Sequence, residues 1–576
     1  MLKRNLFLAC VIMIMTTVLA PVFGRGQGAG GAASTGYTPP PPPEGFPAKG
    51  FTKFAKPVTI HFAQSVDPTD KTLPAGDAID NSQFTRFMTQ NFNVNFKADW
   101  TAASGDDYNQ KVTLAIASNN LPDAMVVNQS QFLKAYQAGQ LKDITGLWKA
   151  NVSEDTNYYA TPQVLAQATF DGKLWAIPGA QVGDDGIHVM MIRKDWLDKL
   201  RLPVPRTVED VHKTAKAFID AGLAKVGITG PAKGGKVSAN FFESGTNMHG
   251  FDFLFQAMDA WPGYWLLDQA GKVQYGTNTP ETRRALSTLA AWFKEGLLDP
   301  EIGVRQDSSE LINSGQAGIF NGSWWTIGYG TTSAWKNDPS MDWQGYPIYD
   351  DKGKWNLHYP VLGNSYLIIN KKASDDVVKA IITNKNVYLR YETIFDIAVN
   401  VNWYPLRHLI NDTTLGTIEY DLYRDILEGT AKREDYNIPT SPNPAYKYYY
   451  TNWDTVVQNT LEAAPGYVKG TPRGQPYPIS WWNQNGQSFP RTYSIVNGDR
   501  AFITMQPDKK VFSLVYGVAT DTLERRYQNL KALEDEMFFR IITGQESISY
   551  FDTFVSRWKA EGGDQITAEI QALPRN

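Results

Sequence analysis

The sequence predicts an α/β protein of at least two lobes, each built on a mostly parallel sheet. Two observations carry this. The chain has 576 residues, well beyond the roughly 250–300 at which a single hydrophobic core stops growing. From Lys56 onward, short apolar runs alternate with amphipathic ones across short connections, and that alternation produces right-handed crossovers between parallel strands. Hydrophobic residues make up 42% and charged residues 20%, with a mean hydropathy of -0.35, as in soluble globular domains rather than membrane bundles. A net charge of -4 supplies no counterion-release drive, so nucleic acid is excluded as a partner.

The chain begins "MLKRNLFLACVIMIMTTVLAPVFGRG". Lys3 and Arg4 precede an uncharged apolar run from Leu6 to Leu19, with small residues after it, which is the pattern of an export signal over residues 1–24. A retained anchor is the competing reading, and the run falls short of the ~20 residues a spanning helix needs. The only cysteine, Cys10, sits inside the run, whereas a lipid-anchoring cysteine should follow it. Cleavage would therefore leave no thiol, which excludes disulfides, thiolate metal sites and cysteine nucleophiles. Residues 25–56 are glycine-rich, then proline-rich, and read as a flexible linker. Gly26, Gly28 and Gly31 spell G-x-G-x-x-G there, but no strand precedes and no helix follows, so the dinucleotide reading fails.

The first alternating series starts with "PVTIHFA" as a strand. A helix follows in "NSQFTRFMTQNF", where Phe84, Phe87 and Met88 recur at helical spacing. Then come a strand in "NVNFKAD", a helix in "DDYNQKVTLAIASN" and a buried strand in "DAMVV". A second series begins near "IHVMMIRKDW". In it Thr207 caps a helix with Glu209 and Asp210 in the first turn, Val208, Val211, Phe218 and Ile219 form its apolar stripe, and Gly222 ends it. "LLDQAGKVQYG" reads as a hairpin, and "TPETRRALSTLAAWFKEGLLDP" as a capped helix ending at Gly296.

Catalytic signatures are missing. There is no G-x-S-x-G, H-E-x-x-H or P-loop, and the six histidines show no ligand spacing. Acidic residues such as Asp184, Asp185, Glu243 and Asp252 could in principle serve a glycan-cleaving enzyme, but 59 acidic residues make that uninformative. "DDKGK" at 350–354 has hard oxygen donors without the EF-hand order, so a turn is expected and neither a metal nor a cofactor is assigned.

A series of segments carries a family resemblance: "LPDAMVVN", "GQLKDITGLW", "DGKLWAIPG", "IRKDWLDKLRLPVPRTVEDV", "DQAGKVQYG", "WFKEGLLDPE", "SGQAGIFNGSWW" and "FDTFVSRWKAEGGDQITAEI". In this order they resemble the family 1 extracellular solute-binding proteins of carbohydrate ABC importers, especially the long LipO-like and alginate-binding-like subgroup. The resemblance implies a periplasmic-binding-protein-like fold, with two α/β lobes, a hinge and a ligand cleft between them. It implies an N-terminal lobe from 57–182 plus 358–400 and a C-terminal lobe from 187–355 plus 403–576. It also implies an exported, monomeric, non-catalytic protein that captures an oligosaccharide and delivers it to membrane permease subunits. A sugar sensor or surface glycan-binding protein on the same fold is the alternative.

A sugar offers apolar C–H faces and hydroxyl rims, so its site needs flat aromatic rings beside planar polar groups. "NGSW" at 321–324 resembles the "NGPW" element of maltodextrin-binding proteins, which makes Trp324 the expected stacking platform and Trp325 either a second platform or an anchor. Small neighbouring residues would let a ligand approach the backbone. Trp261 and Trp265 straddle a Pro-Gly turn and are candidates for cleft exposure, against a core role. Trp403 and Arg407 fall where the chain should cross the hinge for the last time. Trp481 and Trp482 repeat the paired motif. Gln64 and Ser65 after the first strand, and Asn128 and Gln129 after "DAMVV", sit where parallel sheets place ligand loops.

Overall fold

The computed structural model describes residues 49–573 apart from 67–75, 104, 180–185, 232–249, 303–304, 306, 360–364, 395–403, 409–414, 438–443 and 516–519. The export-signal segment, most of the linker, Trp403, Asp184, Asp185 and Glu243 lie outside the described residues. Two sheets organise the chain. The first contains β1 (Val58–Ser65), β2 (Val94–Ala102), β3 (Ala124–Asn128) and β4 (Ala176–Pro178). The second contains β5 (His188–Arg193), β6 (Val226–Ile228), β7 (Ala317–Ser323) and β8 (Trp343–Tyr346). The chain then returns to the first sheet through β9 (Ser365–Ile369). The spatial orders are β2-β1-β3-β9-β4 and β8-β5-β7-β6.

Both sheets are more mixed than the alternating pattern suggests. β1 pairs in parallel with β2 and β3, but β9 runs antiparallel to β3 and β4. In the second sheet β5 runs antiparallel to β7 and β8, while β7 and β6 are parallel. The two reversed strands share a cause. Each is the first strand after the chain passes between sheets, and it therefore enters at the end where the neighbouring strands finish.

Local chemistry sets the helices. Ser82 and Thr85 form a capping box at the start of helix Gln83–Phe92, and Asn93 ends it in the left-handed region at φ 55°. Thr207 and Asp210 do the same for helix Val208–Asp220, which buries Val211 and Phe218 and stops before Gly222 at φ 67°. Thr279 caps helix Pro280–Lys294. This last helix packs against the long helix Asp521–Ile542. The expected hairpin pairs Trp265–Leu267 with Val273–Tyr275. "DDKGK" is a turn in which the Asp350 carboxylate accepts the Lys352 and Lys354 N–H groups at 2.9 and 2.7 Å. Among the described residues no helix is long and apolar enough to cross a membrane.

Candidate functional site

The carboxyl ends of both sheets meet the places where the chain passes between them. In the first sheet Asn128 ends β3 opposite Ser365, the first residue of β9, and the Gly179 N–H donates to the Ser365 carbonyl at 2.8 Å. In the second, Ser323 ends β7 opposite His188, the first residue of β5. Loops beyond these ends are where an open α/β sheet binds ligands.

On the first sheet, two of the four polar candidates hold backbone in place. Gln64 donates from Nε2 to the Tyr404 carbonyl at 3.1 Å and accepts the Leu406 N–H at 2.7 Å. Its amide thus ties the end of β1 to residues 404–408. Tyr404 stacks on Phe84 at 4.7 Å, and Arg407 is half-buried beside it. Asn128 caps helix Gln129–Gln137, accepting the Gln131 N–H at 2.9 Å while its own N–H donates to Gln131 at 3.1 Å. Gln129 hydrogen-bonds the Tyr366 phenol. Ser65 is half-buried at the strand end.

On the second sheet, β7 stops at Ser323 and the chain turns into helix Thr326–Tyr329. Trp324 is 4% exposed and lies in a cluster with Tyr420, Tyr423, Tyr449 and Ile495. Trp325 is half-buried against the same cluster, and Tyr329 is 48% exposed. Trp324 is thus the packed ring of the pair and Trp325 the more accessible one. The small residues serve packing. A Cβ on Gly328 would lie 2.0 Å from the Pro490 carbonyl oxygen, and one on Gly498 would lie 2.1 Å from that of Trp324. Their bareness seats the 490–498 segment against this turn rather than leaving room for a ligand.

An ion pair adjoins this cluster through Tyr423 and Tyr449. Arg491 donates from Nε and Nη2 to the two Glu419 oxygens at 2.9 and 2.5 Å. The Tyr449 and Tyr423 hydroxyls donate to Glu419 Oε1 at 2.8 and 3.3 Å. Burial first, then the Glu419 carboxylate, pushes both phenols well above their ordinary pKa, so they remain donors. Burial works against the Arg491 charge, but Glu419 outweighs it and raises the guanidinium above its usual value. The Glu419 side chain is buried, whereas that of Arg491 keeps 34% of its surface. Tyr329 also hydrogen-bonds Arg491. The exposed Tyr329 ring and the planar Arg491 donor thus share one partly open patch.

Residues 75–384 match the family model of the bacterial extracellular solute-binding proteins. The chain belongs to this family. It is 25% identical over 227 residues to the polygalacturonan/rhamnogalacturonan-binding protein YtcQ of Bacillus subtilis, a match covering 37% of this chain and 41% of that one. Over 218 residues it is 25% identical to the fructooligosaccharide ABC transporter substrate-binding protein FusA of Streptococcus pneumoniae, covering 35% and 39%. The chain spans about two fifths of the length of these relatives. An HMO-binding, ABC-transporter-associated solute-binding protein of Bifidobacterium longum infantis has the same fold, with a TM-score of 0.54 at 14% identity over 90% of this chain and 98% of that one. The fold is thus periplasmic-binding-protein-like, with two α/β lobes.

Within this solute-binding protein two further aromatic candidates are core residues. Trp261 and Trp265 are both buried. Trp261 donates to Asp259 at 2.8 Å, and Trp265 packs on Tyr275 and Trp558, with ring centroids 4.7 and 5.9 Å away. The expected cleft exposure of this loop does not hold, because the Pro-Gly turn folds its indoles inward. At the second tryptophan pair Trp482 is buried on Tyr493 and Trp481 is half-buried, the same division as at Trp324 and Trp325. Glu419, Arg491, Tyr329, Tyr423 and Tyr449 escaped the sequence reading. The ion pair spans 72 residues of chain, and no local motif announces it.

Proposed function

We propose that this chain is the ligand-capturing component of an ABC importer, which closes two lobes around an oligosaccharide and presents it to membrane permease subunits without covalent chemistry. One observation carries the reading: the half-buried Trp325 and exposed Tyr329 follow the carboxyl end of β7, and Tyr329 hydrogen-bonds Arg491. That combination suits a sugar, whose C–H faces lie on rings while its hydroxyls meet planar donors. With its charge matched by Glu419, Arg491 offers donors rather than net charge, which favours neutral over acidic sugars. Trp325, Tyr329 and Arg491 form the second-lobe side of the site; Ser65, Asn128 and Gln129 supply the first-lobe side.

The lobes follow the two sheets, 57–182 with 358–400 and 187–355 with 403–576. The strand Asn356–His358 pairs with Lys509–Val511, which favours assigning it to the second lobe. Ligand that touches both lobes only when they are closed shifts the open-closed equilibrium by its extra affinity for the closed form. The protein acts outside the cytoplasmic membrane, in line with its family. Calorimetry against a panel of neutral and acidic oligosaccharides tests this. Binding of a neutral oligosaccharide without release of new reducing ends supports it, whereas cleavage, or failure of every glycan, overturns it.

A further inference from the structure

Three residues far apart in sequence converge beside the second sheet. His188 opens β5, Asp252 opens helix Asp252–Ala257, and His358 closes the strand Asn356–His358. All three side chains are buried. Their donor atoms lie within 4.8 Å of one another. The Asp252 carboxylate places Oδ2 3.4 Å from His188 Nδ1 and Oδ1 3.8 Å from His358 Nε2. We propose that His188, Asp252 and His358 form a binding site for a divalent transition-metal ion of the zinc class, beneath the end of β7.

The carboxylate supplies the first reason. Asp252 is fully buried, yet among the described residues it forms no ion pair with lysine or arginine, and its Oδ1 has no hydrogen-bond partner. Its Oδ2 accepts from the Asn321 amide. Burying a carboxylate without a full counter-charge is costly, and a divalent cation between the imidazoles removes that cost. Asn321 Oδ1 is also buried without a hydrogen-bond partner.

Geometry and donor type supply the second. Tetrahedral bonds of about 2.0–2.1 Å place ligand atoms about 3.4 Å apart, against 3.4 and 3.8 Å for the two carboxylate–imidazole separations. Two imidazoles with one carboxylate suit zinc and its neighbours, whereas calcium and magnesium take all-oxygen shells. Gln256 hydrogen-bonds His358 Nδ1. With its amide oriented so that the oxygen accepts Nδ1–H, the Nε2 lone pair faces Asp252, the usual way an outer partner fixes a ligating histidine. Because His188 is paired with Ser323, the ion would brace the strand end that carries Trp324 and Trp325.

Tag-free full-length protein, stripped with chelator, is titrated with zinc by calorimetry and with cobalt(II) by absorption spectroscopy. The expected result is one equivalent of zinc, tetrahedral cobalt bands and a higher thermal midpoint. Asp252→Asn and His188→Gln should each weaken binding by more than the about 10–100-fold loss typical of an outer partner, while Gln256→Leu should fall within that range. Circular dichroism of the stripped variants checks that they remain folded. Absence of stoichiometric zinc or cobalt binding in the wild type overturns the site. So does unchanged metal affinity in folded His188→Gln, or a preference for calcium.

Discussion

Arg491 grips Glu419 through two parallel hydrogen bonds, 2.9 and 2.5 Å long, and two tyrosine hydroxyls complete the shell of the carboxylate. The pair joins helix Leu415–Glu428 to helix Phe489–Tyr493 directly behind the Trp324–Trp325 turn. Removing one member of a buried pair costs about 3–5 kcal/mol. Because Arg491 keeps a third of its surface, Glu419→Gln should cost less, about 2 kcal/mol, read as a lower urea midpoint. The same variant frees the guanidinium charge. It should therefore improve binding of uronic-acid oligosaccharides relative to neutral ones, and an unchanged ratio would remove Arg491 from the site.

The two tryptophans should separate stability from binding. Trp324→Ala empties a buried position and should destabilise the fold by about 3–5 kcal/mol. Trp325→Ala should leave the urea midpoint nearly unchanged and weaken oligosaccharide binding about 10-fold or more, at least ~1.4 kcal/mol. Calorimetry and urea titration on both variants decide the matter. Should affinity follow Trp324 in a folded protein, Trp324 is the platform after all.

Much of the fold was legible because its signals are local. Thr207, Asp210 and Gly222 bracket one helix within sixteen residues, and Trp265–Leu267 meets Val273–Tyr275 across a short turn. The reversed directions of β5 and β9 were not legible, since they depend on where the chain re-enters a sheet. Of the candidate site, only the strand-end position was legible. Placing Trp324 and Trp325 at a strand end needed only the adjacent sequence, but which indole stays open depends on Tyr420, Tyr449 and the 490–498 segment. His188, Asp252 and His358 stand 64 and 106 residues apart, so no spacing rule could join them.

Asp342 gives the fold a pH signature. Burial, reinforced by Asp195, raises its carboxyl from 3.8 to about 6, although Gln344 and Tyr493 hydrogen bonds act in the opposite direction. Between these values the folded chain holds a proton that the unfolded chain has lost. Stability from this group is thus complete below about pH 3.8 and declines as pH rises to about 6, by up to about 3 kcal/mol. Asp342→Asn should flatten this part of the wild-type profile and raise stability at pH 7. Urea midpoints measured across pH 4–7 test it, and parallel curves for the two proteins would refute it.

Gln64 is where two readings of the first lobe part. Its amide satisfies both the Leu406 N–H and the Tyr404 carbonyl, and it holds Leu406 in the left-handed region at φ 59°, which a branched side chain enters at a cost of about 1–2 kcal/mol. Gln64→Ala leaves two backbone groups without these partners and should cost about 1–3 kcal/mol. Hydrogen exchange at the Leu406 amide should accelerate in step. Sugar affinity should change only as far as the crossing segment loosens, so Leu406 exchange and affinity should move together. A Gln64→Ala protein of wild-type stability and exchange that nevertheless loses its sugar would instead make Gln64 a direct ligand contact.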